Sequence, residues 1–181
     1  MPASVAQCFA MADMVPARVS LRALTQQMDA NQVAYADRLE TLLGRLRQVT
    51  MGVAPGSAVH GRVKSPLSTW RKTRADGLDL EDLHDLVGLR VLVDRVSECY
   101  AVLDAVRLAW PGPNERHRDF IEVPKPNGYQ SLHTTRKDAD GFRFEIQIRT
   151  RKMHEAIERG AAAHRHYEVR RWQEAASAVA A

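Results

Sequence analysis

The sequence predicts an α/β (α+β) protein in which helices flank a mixed β-sheet. Three observations carry that prediction. Residues 142–149 alternate strictly: Phe142, Phe144, Ile146 and Ile148 point to one side, Arg143, Glu145, Gln147 and Arg149 to the other. Leu86 to Val93 is an apolar run broken by one arginine, Arg90, as expected of a buried strand. Residues 97–110 place Tyr100, Leu103, Val106 and Trp110 at helical spacing. The composition agrees with a globular domain: 181 residues, 45% hydrophobic and 27% charged.

The elements follow in order. Residues 1–19 carry Pro2 and Pro16 without periodicity and read as a loose N-terminus. Residues 20–50 read as one long helix, with Ser20 as N-cap and an apolar stripe through Leu21, Leu24, Met28, Tyr35, Leu39, Leu42, Leu46 and Val49. The stripe either docks on its own domain or forms a dimer seam. Residues 51–168 read as the core. Within it, 51–61 is rich in Gly, Pro and Ser and reads as a loop. Ser65 and Pro66 open a second helix as N-cap and first helical residue. After the strand at 86–93 and the helix at 97–110, Pro111 to Asn114 stop the chain, and residues 115–128 read as a charged loop. Residues 130–136 form a strand, Asp138 to Gly141 a hairpin turn, and 142–149 the next strand. A last helix spans 151–168, and 169–181 is an Ala-rich tail.

The net charge is +4, with a pI near 9.3, which favours anionic ligands such as nucleotides or RNA. Two cysteines, Cys8 and Cys99, and no CxxC exclude a disulfide framework and a structural zinc site. No apolar run approaches the roughly 20 residues of a membrane span. Met1 to Ala12 lacks the charged start of a signal peptide, since the first basic residue is Arg18. A cytoplasmic protein with no membrane partner is the expectation.

Several residues suit chemistry. Asp85, just before one strand, and Glu145, on another, meet on one face if the strands share a sheet. Such a pair suits Mg²⁺, which takes hard oxygen ligands and substrate phosphates. The plain alternative is a solvated strand face. His133 would point to the same face as Glu145. Lysines and arginines crowd short segments: Arg62 and Lys64, Arg71 and Lys72, then Arg116, Arg118 and Lys125. Guanidinium groups grip phosphate oxygens and stack on bases, although any single one is an ordinary surface charge elsewhere. Tyr129, beside Asn127 and Gly128, is placed to stack on a base; otherwise Lys125 to Tyr129 is a turn leading into a strand. His84-Asp85 spells the dipeptide of metal-dependent phosphohydrolases but abuts an apolar strand. His164 and His166 lie on divergent faces of a helix. His154 and Glu155 read as structural support.

The strings themselves then carry a resemblance. Gly61-Arg62-Val63-Lys64-Ser65-Pro66, His84-Asp85-Leu86-Val87-Gly88-Leu89-Arg90, Asn127-Gly128-Tyr129-Gln130-Ser131-Leu132-His133-Thr134-Thr135, Glu145-Ile146-Gln147-Ile148-Arg149-Thr150 and Met153-His154-Glu155 occur in order. From about residue 60 to 168 the chain resembles the synthetase domain of the RelA/SpoT family. The resemblance implies a nucleotidyltransferase-like fold and Mg²⁺-dependent transfer of pyrophosphate from ATP to the 3′-hydroxyl of GDP or GTP. It implies Asp85 and Glu145 as catalytic residues and metal ligands, with Glu145 alternatively taking the 3′-hydroxyl proton. It implies Arg62 stacked on adenine and Lys64, Lys72, Arg116 and Arg118 around ATP phosphates. Lys125, Asn127, Tyr129 and His133 would surround the acceptor nucleotide, with Tyr129 on guanine, and Gln147 and Arg149 would order the strand face.

Residues 1–60 are too short for the hydrolase domain of the family's large members, so a small stand-alone synthetase is expected. Arg165 stands where the family often has Trp. Two other readings remain. Some small relatives are toxins that modify the tRNA 3′ end or adenine nucleotides, and the basic residues in and around the last helix (Arg149, Arg151, Lys152, Arg159, Arg165, Arg170, Arg171) are compatible with RNA. A catalytically silent nucleotide-binding module is the third; the presence of both carboxylates argues against it. A homo-oligomer and an antitoxin are the candidate protein partners.

Overall fold

The computed structural model describes residues 20–112 and 116–160. The segments expected to be a loose N-terminus (1–19), the end of the last helix (161–168) and an Ala-rich tail (169–181), with Cys8, His164 and His166, lie outside them.

The N-terminal segment forms two helices where one was expected. α1 (Leu21–Ala30) and α2 (Gln32–Met51) meet at Asn31, whose side chain donates to the Gln27 carbonyl at 2.8 Å. Ser20 caps α1 as predicted, accepting from the Ala23 N–H at 3.2 Å. The break falls in the seven-residue gap of the apolar stripe, between Met28 and Tyr35. It lets the stripe serve two clusters. Leu24 and Met28 pack with Leu86, beside Tyr35 and Trp70, while Leu42, Leu43 and Leu46 join the main core.

Five strands follow: β1 (Ala58–Val63), β2 (Val87–Val93), β3 (His117–Asp119), β4 (Leu132–Lys137) and β5 (Arg143–Thr150), in the order β1-β2-β5-β4-β3. β2 and β5 are parallel and every other pair is antiparallel, so the sheet is mixed, as expected. β1 and β3 lie in segments that read as loops, and both readings are corrected. Each is an edge strand without a strict alternation: β1 is Ala-Val-His-Gly-Arg-Val, broken by a glycine, and β3 is only His-Arg-Asp. Their pairing is imposed by the neighbouring strand.

α3 (Pro66–Asp76) begins as predicted, with the Ser65 hydroxyl accepting from the Ser68 N–H at 3.4 Å. α4 (Val96–Ala109) follows β2. Residues 151–160 form α5, opened by the Thr150 hydroxyl, which accepts from the Met153 N–H at 3.2 Å.

The core lies on one face of the sheet. Val87, Leu89, Val91 and Val93 of β2 and Phe144, Ile146 and Ile148 of β5 are buried there under α2 and α4. Trp110 meets Phe144 edge-on at 5.4 Å. Cys99 is buried in the same core, and burial pushes its thiol up to about 12. Arg38 ties α2 to the β4–β5 hairpin, pairing with Asp138 and Asp140 and lying 5.0 Å from the Phe142 ring centre. Gly61 lets α2 approach β1. A Cβ there would stand 2.6 Å from Leu39 Cδ1, 3.0 Å from Leu89 Cδ2 and 3.2 Å from Leu43 Cδ2. Leu39 can turn aside but the other two are buried, so Gly61→Ala is expected to cost about 1–3 kcal/mol. A lower urea midpoint at unchanged slope would show it.

Candidate functional site

With helices α2 and α4 on the core face, the opposite face of the sheet carries the polar side chains. Strand register lines them up in two rows. His60, Arg90, Gln147, His133 and Arg118 stand opposite one another from β1 to β3. Arg62, Gly88, Glu145 and Thr135 form the next row. A cleft opens over the β1–β2–β5 part of this face, lined by His60, Arg62, Asp85, Gly88, Arg90, Glu145 and Gln147 among others. The two carboxylates expected to meet do share this cleft.

Asp85 is delivered by the turn that leads into β2. Its Oδ2 accepts from Lys64 Nζ at 2.8 Å and from Lys72 Nζ at 2.7 Å. Lys64 is placed by continuation of the β1–β2 ladder, its N–H donating to the Leu86 carbonyl at 2.8 Å. Lys72 comes from α3. Asp85 Oδ1 is buried and has no hydrogen-bond partner among the described residues. Burial pushes the Asp85 carboxyl up, but the hydrogen bonds and charges of the two lysines outweigh it and hold the group below its ordinary 3.8.

Glu145 sits in a closed ring of hydrogen bonds. Its Oε1 is 3.0 Å from His133 Nδ1, and its Oε2 accepts from Gln147 Nε2 at 2.8 Å. Arg149 donates to Gln147 Oε1 and, at 3.2 Å, to Tyr129 Oη. Tyr129 Oη returns to His133 Nε2 at 2.7 Å. Assigned from this network, His133 donates from Nδ1 and accepts at Nε2. Burial and the Asp85 charge push the Glu145 carboxyl up, while His133 and Gln147 bring it below its ordinary 4.5. Both carboxyls are therefore anions at neutral pH. Their ionised forms add stability above the unfolded-chain values and lose it as pH falls through the lower folded values. Below roughly pH 4 the urea stability of the protein should fall more steeply than that of Asp85→Asn.

The loop before β4 is ordered locally. Gly128 has φ +75°, its N–H donates to the Lys125 carbonyl at 2.8 Å, and Asn127 Oδ1 accepts from the Tyr129 N–H at 3.2 Å. Lys125 Nζ lies 4.6 Å from the Phe120 ring centre and 5.1 Å from that of Tyr129. This places Lys125, Asn127, Tyr129 and His133 in one neighbourhood, as expected. The five cations expected around ATP divide instead. Lys64 and Lys72 bond Asp85 and Arg62 lines the same cleft, while Arg116 and Arg118 are exposed at the β3 edge, Arg118 opposite His133.

Sequence reasoning assigned no role to three cleft residues. Arg90 shows itself in the sequence as the one charge in an apolar run. His60 lies in the segment read as loop. Gly88 has neither a neighbour within 4 Å of a built Cβ nor a positive φ, so the open space above it lies between Arg62 and Glu145. Gly88→Val should leave the urea midpoint within about 1 kcal/mol of the parent, since valine suits a strand. It should raise the concentration of any cleft ligand needed for half-saturation at least about tenfold, one such factor being 1.4 kcal/mol. Over the same end of the face, burial and the charges of Arg90 and Arg149 hold the α5 residue His154 below its ordinary value.

Among the described residues no three His, Cys, Asp or Glu side chains converge as metal ligands. The buried, unpartnered Oδ1 of Asp85 and the nearby Glu145 carboxylate nevertheless suit a hard dication that takes its remaining ligands from phosphate and water.

The fold is that of the small alarmone synthetases. Small alarmone synthetase 1 of Bacillus subtilis, solved with its product pppGpp, superposes with a TM-score of 0.66 at 25% identity, covering 78% of this chain and 83% of that one. A GTP pyrophosphokinase family protein of Streptococcus pneumoniae gives 0.60 at 29% identity, covering 79% and 77%. The region found in RelA/SpoT proteins matches residues 61–171, and the chain belongs to the RelA/SpoT family. Its relatives include the GTP pyrophosphokinase rsh of Brucella melitensis, 43% identical over 148 residues, 76% of this chain and 20% of that protein. The bifunctional (p)ppGpp synthase/hydrolase RelA of Mycobacterium tuberculosis is 39% identical over 132 residues, 71% of this chain and 18% of that protein. The chain thus spans a fifth or less of the length of these relatives.

Proposed function

We propose that this chain transfers the β,γ-pyrophosphoryl group of ATP to the 3′-hydroxyl of GDP or GTP, with Mg²⁺, in the cytoplasm. The observation that carries this reading is the Asp85–Glu145 pair on one open sheet face, ringed by cations. That pair sits in a fold whose solved relative holds pppGpp. The acceptor 3′-oxygen attacks the β-phosphorus, the bond from that phosphorus to the α–β bridging oxygen breaks, and AMP leaves. Such a step asks a protein for in-line positioning and charge neutralisation.

Arg62 would stack on adenine, and Lys64 and Lys72 would take phosphate oxygens. Asp85 and Glu145 would hold Mg²⁺, which would supply neutralisation of the charge that moves. Glu145 alternatively accepts the 3′-hydroxyl proton. Tyr129 offers its ring to guanine, with Lys125, Asn127 and His133 around the acceptor. Arg116 and Arg118 would reach ATP phosphates from the β3 edge, where Arg118 stands opposite His133. Gln147 and Arg149 hold Glu145 and Tyr129 in position.

Of the arginines that suited RNA, Arg165, Arg170 and Arg171 lie outside the described residues, and the other three have partners within the fold. Arg149 is buried, Arg151 bonds Asp94 and the Gly56 carbonyl, and Arg159 pairs with Glu155. Among the described residues no helix is long and apolar enough to cross a membrane.

The test is incubation with Mg²⁺ and γ-³²P-ATP, offering GDP, GTP, AMP or deacylated tRNA in parallel. Label on GDP or GTP is the expected result. Label on tRNA or AMP alone, or on no acceptor, would overturn the reading.

A further inference from the structure

Two ammonium groups crowd one oxygen of the carboxylate that would take the metal. Lys64 and Lys72 lie 2.8 and 2.7 Å from Asp85 Oδ2, and the three side chains are only 14%, 26% and 19% exposed. A carboxylate oxygen has two lone pairs, so these donors saturate Oδ2. Oδ1 is left without a partner. The surrounding charge points the same way. Arg62, Arg90, Lys64 and Lys72 face Asp85 and Glu145, four cations against two carboxylates, a formal +2. A bare dication is repelled by that balance, whereas a metal–triphosphate complex, a net anion, is attracted.

We propose that Lys64 and Lys72 act as a cation lock on Asp85. While both sit on Oδ2 the site takes divalent metal weakly. When the phosphates of a nucleoside triphosphate draw the lysines away, their charge no longer offsets that of the carboxylate and the metal enters at Asp85 with the nucleotide. The same two side chains thus serve two partners in turn, the carboxylate without ligand and the phosphates with it. This inference rests on the assignment of Asp85 as metal ligand made above. It adds a coupling that the assignment alone does not contain: metal affinity depends on triphosphate through two named lysines.

The test reads Mn²⁺ bound to the protein by electron paramagnetic resonance, with protein-free controls, and needs no turnover. In the unaltered protein, saturating α,β-methylene-ATP should tighten Mn²⁺ at least tenfold. Without nucleotide, Lys64→Met/Lys72→Met should bind Mn²⁺ at least tenfold more tightly than the unaltered protein, and Asp85→Asn should remove that gain. The first comparison uses no variant and stands if the double variant fails to fold; Lys72→Gln alone then supplies the second, with a smaller gain in the same direction. Tight, Asp85-dependent binding of Mn²⁺ alone to the unaltered protein would overturn the lock while sustaining the metal site. Mn²⁺ binding that is indifferent to Asp85→Asn, with nucleotide or without, would overturn the metal assignment and the lock together.

Discussion

Asp85→Asn should lower kcat/KM for pyrophosphoryl transfer on the order of 10³-fold or more, about 4 kcal/mol of transition-state stabilisation. The substitution keeps the shape of the side chain and removes its charge. In the folded chain that charge anchors Lys64 and Lys72 at 2.8 and 2.7 Å and leaves Oδ1 free for a ligand. With asparagine the anchor is lost, an amide can face the two ammonium groups, and the cleft becomes more positive. ATP binding should therefore persist, because the cations that grip phosphate remain. Steady-state kinetics with GDP as acceptor, together with binding of α,β-methylene-ATP by calorimetry, separates the two. A variant within tenfold of the parent in kcat/KM would remove Asp85 from the chemistry.

Glu145→Gln should cost 10²- to 10⁴-fold, on the order of a missing general base. It also unbalances the hydrogen-bond ring. Two donors, from His133 and Gln147, now meet an amide with one oxygen. His133 must then change tautomer or turn, and Tyr129 feels the change through its 2.7 Å contact with His133 Nε2. The two roles for Glu145 give different residual behaviour. If it takes the proton, the variant's rate should rise with pH while its Mn²⁺ requirement stays that of the parent. If it binds metal, the Mn²⁺ needed for half-maximal rate should rise and pH should give no rescue. Full activity in both measurements would leave Glu145 as a structural anion.

Much of the core is legible in the sequence. The strict alternation at 142–149 and the apolar run at 86–93 are β5 and β2, because a period of two and a run of aliphatic residues in a central strand leave strong patterns. Ser65-Pro66 and Ser20 marked helix starts, since capping is a local matter between neighbouring residues. The polar side of 142–149 lines the open cleft, and His133 meets Glu145 there as expected. What failed locally was what depends on a partner strand. β1 and β3 have weak intrinsic preference and are strands only because β2 and β4 offer unpaired backbone beside them. The division of the N-terminal stripe at Asn31 likewise needed the two clusters it serves.

The sequence by itself therefore determined the class of fold, the strands that build its core, the family, and which two carboxylates share the cleft. Periodicity and short motifs carry those, and both are written in neighbouring residues. Tertiary structure alone decided which cations stand beside which carboxylate. It put Lys64 and Lys72 on one oxygen of Asp85, Arg90 and His60 across the row from Gln147, and Arg116 and Arg118 at the far edge. Strand order and register set those distances, and they depend on how residues far apart in the chain share one buried face.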